Sequence, residues 1–286
     1  MSTRFNLSSI STLAAEFARQ GFVVLRELCP PDTIEAMRSQ ALADLADGVG
    51  PVEYEAEVGY EGAPASLDEP GGRTVRRLLD ALGRHEMYQQ WALSGELTQV
   101  VRALLGAVQT HQNDAPGQAA SRLLVVRAHH NCIMTKQPDF SSSTGWHQDI
   151  RYWSYARPEL VNAWTALGEE SSNNGGMRLI PGSHRHEFAD DCFDAQRFFR
   201  TDHAPNQAWL DRAVQMDMRP GDVLFFHARL LHSAGRNLSD ERKLSLVLSY
   251  RDSSNTPVPG SRSAAQSDLD SGPATRSSSA EYRNQP

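Results

Sequence analysis

Apolar and polar positions fall into two textures along the chain. In the N-terminal part the spacing is mostly helical. Residues 11–20 have a helical pattern, and after Gly21 the β-branched run of GFVVLREL, residues 21–28, predicts a strand. In PPDTIEAMRSQALADLADG, Pro30 and Pro31 stop that strand and Asp32 is placed to cap. Ile34, Met37, Ala41 and Leu45 then recur at helical spacing until Gly48 ends the run. Residues 49–73, rich in Gly, Pro and acids, predict a long surface loop of the kind that often carries binding residues. Two further helical stretches are expected around 74–92 and 94–106.

Beyond about residue 120 the texture becomes that of short strands. RLLVVRAHHNCIMTK, PELVNAWTALG, GMRLIPGSH, AVQMDM, GDVLFFHARLLH and KLSLVLSYR are separated by Gly, Pro, Asn and Ser. The expected class is mainly β with flanking helices, the β part forming a sandwich or jelly roll. One domain over residues 1–262 accounts for this pattern, with a helical part at about 1–110 and a β-barrel at about 120–252. Residues 263–286 hold almost no apolar side chains to repay the entropy of ordering, and are expected to be a disordered tail.

Composition narrows the classes. A chain of 286 residues with 40% hydrophobic content can bury a substantial core. A net charge of −7 without a long basic run speaks against nucleic acid as a partner. No leader-like segment and no uninterrupted apolar run of about 18 residues occurs, so the expectation is a soluble, cytoplasmic protein with no membrane partner. Cys29, Cys132 and Cys192 are odd in number and far apart, which suggests reduced structural thiols. The phosphate-binding loop, dinucleotide and nucleophile-elbow motifs are absent.

Candidate chemistry begins at TGWHQDIRYW, residues 144–153. On an extended strand His147 and Asp149 would emerge on one face, roughly 7 Å apart at Cα, close enough to converge on one ion. With 10 His and 35 acids in the chain, one such pair is expected by chance, so a third ligand is needed. GDVLFFHARLLHSAGRN offers His227 and His232, the latter followed by the small residues Ser233, Ala234 and Gly235. Two histidines and a carboxylate on one face form the triad of non-heme iron(II) oxygenases, which leaves positions open for co-substrates. His147, Asp149 and His232 fit that demand, although spacing alone does not choose between His227 and His232.

Three stretches in order, TGWHQDIRYW, ELVNAWTALGEESSNNGGMRLIPGSHR and GDVLFFHARLLHSAGRN, resemble the phytanoyl-CoA dioxygenase family of iron(II)- and 2-oxoglutarate-dependent oxygenases. The likeness extends upstream to FARQGFVVLRELCPPDTIEAM, so it covers most of the chain. The resemblance implies a double-stranded β-helix with Fe(II) at the barrel mouth, held by His147, Asp149 and His232. It implies 2-oxoglutarate and O2 as co-substrates and oxidative decarboxylation to succinate and carbon dioxide, with hydroxylation of a small-molecule substrate. Asp149 fills the position that halogenating relatives leave open for chloride.

In the family a basic residue about eleven positions after the distal histidine pairs with the far carboxylate of 2-oxoglutarate. Here that position is Lys243, with Arg242 beside it, and Ser245 shares the face of Lys243. Lysine offers a point charge where arginine would offer a fork. Family position also makes Trp164 and Asn131 candidates to border the co-substrate, with Met134 and Lys136 on the same strand-like run as Asn131.

His129, His130, His184 and His227 read first as core or hydrogen-bonded histidines. Trp146, Tyr152, Trp153 and Trp164 read first as barrel packing. Arg73, Arg76, Arg77 and Arg84 fall on an expected helix, where a solvated face is the simpler reading; the functional one is an anion clamp at the site entrance. Arg76, Arg77 and Trp146 are thus the candidate substrate contacts. Two other functions remain: a cupin-like metal enzyme that does not use 2-oxoglutarate, and a non-catalytic metal-binding sensor barrel.

Overall fold

The computed structural model describes residues 7–109 and 122–272. In chain order the first part comprises α1 (Leu7–Gln20), β1 (Phe22–Leu25), α2 (Pro31–Ala46), β2 (Val52–Tyr54), β3 (Val75–Leu79), the short α3 (Ala81–Arg84) and α4 (Glu86–Ala92), and α5 (Gly95–Gln109). The second comprises β4 (Leu123–Lys136), β5 (Thr144–His147), β6 (Leu160–Ala166), β7 (Met177–Leu179), α6 (Gln207–Leu210), β8 (Val214–Gln215), β9 (Val223–His227), β10 (His232–Ala234), β11 (Lys243–Asp252) and β12 (Leu269–Asp270). None of the described helices is long and apolar enough to cross a membrane.

The strands form two antiparallel sheets of a jelly roll. The larger runs β1-β9-β6-β11-β4-β3-β2 with β12 also on β4; the smaller runs β5-β10-β7-β8. Alternation along β11 explains the layering. Leu244, Leu246, Leu248 and Tyr250 join Phe17, Met37, Trp91 and Leu104 in the core between the large sheet and the helices. Lys243, Ser245, Val247 and Ser249 therefore face the barrel interior. There Val247, Trp164 and Phe226 pack across to Met177 and Leu179 of the small sheet. Strand β6, covered on both faces, is buried along its whole length and reads as an almost continuous apolar run.

Three sequence expectations change. The run 74–79 is a strand, not a helix: Leu79 pairs with Cys132 of β4 and Leu78 with Val52 of β2. A β-branched start and an alternation of faces at Val75, Arg77 and Leu79 suit that pleat better than a helix, and β1, β2 and β3 together extend the barrel sheet well upstream of residue 120. The expected loop 49–73 contains β2. Finally, 263–272 is built into the fold, since Ser263 is buried, Arg251 Nε donates to Asp268 at 2.6 Å, and β12 pairs with β4. The rest of the expected tail, 273–286, lies outside the described residues.

One irregularity shapes the site. Between β11 and β4 the register passes from Leu248↔Asn131 to Ser249↔Val126, which leaves Arg127–His130 of β4 without partners on β11. Bulges of this kind re-aim side chains beside binding sites.

Candidate metal centre

His147 and His232 are direct partners across the β5–β10 pair, so neighbouring strands set the two rings side by side, 4.1 Å between centroids. The chain leaves β5 at His147, and Asp149 opens a 3-10 turn over Asp149–Tyr152. The expected single strand carrying both residues is thus broken at Gln148; a turn, not the pleat, brings the carboxylate round. Asp149 Oδ1 lies 3.6 Å from His147 Nε2 and 3.7 Å from His232 Nε2. The three donor atoms lie within 4.8 Å of one another.

Outer contacts fix how these groups face. His147 Nδ1 bonds the carbonyl of Gly145 at 2.8 Å, and His232 Nδ1 that of Leu230 at 3.0 Å. Each Nδ1 is thereby the donor, which leaves both Nε2 lone pairs for a metal. Asn162 Nδ2 donates to Asp149 Oδ2 at 2.7 Å, and Ser249 Oγ donates to Asn162 Oδ1 at 2.5 Å. Burial alone would raise the Asp149 carboxyl, but His130, His232 and His147 around it outweigh that and hold it well below the usual carboxylate range. Burial and His147 push His232 down to about 4 against the pull of Asp149. An ionised carboxylate and neutral imidazoles are the ligand states that a metal requires.

His227 belongs elsewhere. Alternation along β9 turns it to the helix side, where its ring lies 6.4 Å from Phe17 and 5.3 Å from His184. Its Nδ1 accepts from Arg229 N at 3.0 Å.

The triad opens onto a cavity of about 460 Å³, whose wall includes Tyr60, Arg76, Arg77, Asn131, Met134, Thr144, Trp153 and Trp164. Several expected contacts are engaged otherwise. Lys243 does not line this cavity; its ammonium lies 3.2 Å from Glu170 Oε2 and 3.0 Å from Ser245 Oγ, above the Trp164 ring. Ser245 Oγ and Trp164 Nε1 both donate to Glu170 Oε1, at 2.7 and 2.9 Å. Arg242 is exposed in a different surface hollow, with Arg38 and Phe140, and does not line this cavity. Asn131 lines the cavity but spends its amide on Leu82 N and Asp80. Trp146 packs with Ile180, Phe199 and Leu231 and does not line the cavity.

Arg73 is exposed on a turn near Asp68, but the other three arginines do not form a solvated helix face. Arg76 is buried, donating to Ser142 Oγ and Thr144 Oγ1 at 3.2 and 2.9 Å within reach of Glu53 and Glu55. Arg77 forks onto Glu53. Arg84 lies away from the site in a buried pair with Asp44.

Sequence reading placed His130 among the core or hydrogen-bonded histidines; its Nε2 is 3.5 Å from Asp149 Oδ1 and its ring stands edge-on to Trp153. That reading passed over Asn162, Glu170 and Phe198, the last packed edge-on against His147. The paired histidines of RAHHNC were the only hint; nothing local marked the others.

A jelly roll with two histidines and one carboxylate converging at its mouth is the architecture of a mononuclear metal enzyme. The family model for phytanoyl-CoA dioxygenase (PhyH) matches residues 17–245, and the chain belongs to that family. It is 26% identical to the peroxisomal phytanoyl-CoA dioxygenase of Mus musculus over 234 residues, 77% of this chain and 62% of that protein. It is 25% identical to the ectoine dioxygenase of Sphingopyxis alaskensis over 266 residues, 85% of this chain and 76% of that protein. Among solved structures, the epimerase SnoN in complex with Fe3+, alpha ketoglutarate and nogalamycin RO superposes with a TM-score of 0.68 at 21% identity, covering 89% of this chain and 88% of that one.

Proposed function

We propose that this chain is an iron(II)- and 2-oxoglutarate-dependent oxygenase that hydroxylates a small molecule with release of succinate and carbon dioxide. The observation that carries the reading is the convergence of His147, Asp149 and His232, with both Nδ1 atoms tied to backbone carbonyls and both Nε2 atoms left to bind. Iron(II) there supplies the dioxygen chemistry. The chain's own residues hold the ligands, through Gly145, Leu230 and Asn162, and restrict water, through Trp153 and Trp164 in the cavity wall and Phe198 against the His147 ring.

The far carboxylate of 2-oxoglutarate needs a cation. Lys243 alone does not supply a free one, because Glu170 already matches its charge. The surrounding group does. Lys136 is the register partner of Lys243, and Arg76 and Arg77 follow on β3. These four cations face Glu53, Glu55 and Glu170, one positive charge in excess. Burial, with Arg76 and Lys243 nearby, pushes the Lys136 ammonium well below its ordinary range, and a bound carboxylate would favour its charged form. We assign the carboxylate to this group, with Trp164 bordering it.

The Lys243–Glu170 pair is also what favours the alternative, a metal enzyme on the same barrel that does not use 2-oxoglutarate. Succinate production separates the two. Anaerobically purified, iron(II)-loaded protein given 2-oxoglutarate and oxygen should form succinate slowly without a prime substrate, and His147→Ala should not. No succinate from the wild type, together with no 2-oxoglutarate binding by calorimetry, would overturn the oxygenase reading in favour of a metal enzyme without 2-oxoglutarate or a non-catalytic sensor barrel.

A further inference from the structure

Two nitrogens in the cavity wall lack partners, and both belong to the β4 bulge. Among the described residues, Arg127 Nε and His130 Nδ1 are buried without a hydrogen bond. A buried polar atom left unpaired is costly, so two of them on one four-residue bulge beside a cavity call for an explanation, and a guest that enters between the bulge and the cavity supplies one. The Arg127 guanidinium is partly exposed and reaches Asp80 only at 3.7 Å. Asp80 also accepts from Asn131 Nδ2 at 2.9 Å.

A second arginine lies in the same wall. Arg262 lines the cavity, is exposed, and makes no ion pair among the described residues. Its position is built: the adjacent Ser263 is buried, and its Oγ bonds His129 Nε2 at 2.7 Å and accepts from Ser154 N at 2.9 Å. His129 in turn stacks on Trp153 at 5.0 Å and 19°. Arg127 and Arg262 against Asp80 leave one positive charge unmatched in this part of the wall, distinct from the excess around Lys136. Trp153, beside His130, adds an apolar part to the same wall.

We propose that the β4 bulge and Arg262 form the recognition subsite for the prime substrate, and that this substrate is a carboxylic acid. Arg127 and Arg262 hold its carboxylate by charge-assisted hydrogen bonds. His130 Nδ1 meets a polar group nearer the metal, and the Trp153 face carries the carbon frame between. His130 is then a positioning residue that sets which carbon faces His147, Asp149 and His232. This substrate class rests on the oxygenase reading, whereas the subsite itself is testable without turnover.

Zinc-loaded protein saturated with 2-oxoglutarate, so that the co-substrate position is filled, is titrated by saturation-transfer NMR. The probes are benzoate, phenylacetate and 3-phenylpropionate, each with its primary amide. At least one acid should bind in the millimolar range or tighter, with its amide about tenfold weaker or worse, the loss expected when a charge-assisted bond goes. Arg127→Gln and Arg262→Gln should each weaken the acid by a similar factor; Arg262 is exposed, so its variant carries little risk to folding. Binding by none of the acids, equal binding of the amides, or either variant binding the acid as tightly as wild type overturns the proposal. No succinate and no 2-oxoglutarate binding in iron-loaded wild type, with acid binding intact and still weakened in the Arg127 and Arg262 variants, would overturn the oxygenase reading and leave the subsite standing.

Discussion

Asp149 is held on three sides by imidazole nitrogens and on the fourth by the Asn162 amide, so each neighbour has a separable effect. Asp149→Ala should abolish substrate-coupled 2-oxoglutarate turnover; near-normal turnover in that variant would remove Asp149 from the ligand set. Asn162→Ala frees Asp149 Oδ2 and leaves the Ser249 hydroxyl without its acceptor. Outer contacts of this kind typically carry 10- to 100-fold in metal affinity, so iron(II) should bind about that much more weakly, as read by competition with a chromophoric chelator. His227→Ala gives the opposite pattern. It opens a cavity beside Phe17 and should lower stability by about 1–3 kcal/mol, yet leave one metal per chain by elemental analysis. The His-x-Asp pair and a histidine after the GDVLFFHARLL run were legible as residues. Which of His227 and His232 binds was not a local property, because both sit near the end of the same strand run.

Among the elements, β11 and the β4 bulge do most to define the site. Alternation sends Leu244, Leu246, Leu248 and Tyr250 to the helices, and Lys243 and Ser245 to a buried cluster with Glu170. Lys243→Met should cost about 3–5 kcal/mol in urea denaturation, since it strands a buried carboxylate, and a second change, Glu170→Gln, should restore much of that. A loss unaltered by Glu170→Gln would mean that Lys243 contributes by packing on Trp164. The strand-like texture of KLSLVLSY announced this alternation from sequence. Glu170 did not announce itself: it lies in the loop after β6, and only sheet curvature brings it under the strand. The run 74–79 was misread for a related reason, since its pairing partners lie about 25 and 55 residues away, and a short stretch rich in Arg and Leu satisfies either periodicity.

Across the whole molecule, buried imidazoles tie stability to pH. Burial, with Arg262 and His130 adding, pushes His129 down to about 4; burial pushes His184 to about 4, and burial with His184 nearby pushes His227 to about 3, all from 6.5. In each the folded pKa lies below the unfolded one. The stabilisation is therefore fully present above pH about 6.5 and lost as pH falls toward 4, where the unfolded chain takes up protons that the folded one refuses. Metal-free protein should lose on the order of a few kcal/mol between pH about 6.5 and 4, seen as a falling urea midpoint, and a flat profile would contradict the neutral burial of these rings.

By itself the sequence determined the periodicities of the long helices and most barrel strands, the order of the family motifs, and the residue types able to bind a metal, because these depend on local spacing and side-chain chemistry. Only the tertiary structure decided which face of β9 carries His227, that Glu170 matches the charge of Lys243, that residues 263–272 wrap back onto the barrel, and that the unpaired nitrogens of Arg127 and His130 share one wall. Each of these depends on strand register and on the closing of two sheets over one interior, and so on contacts between residues tens to hundreds of positions apart.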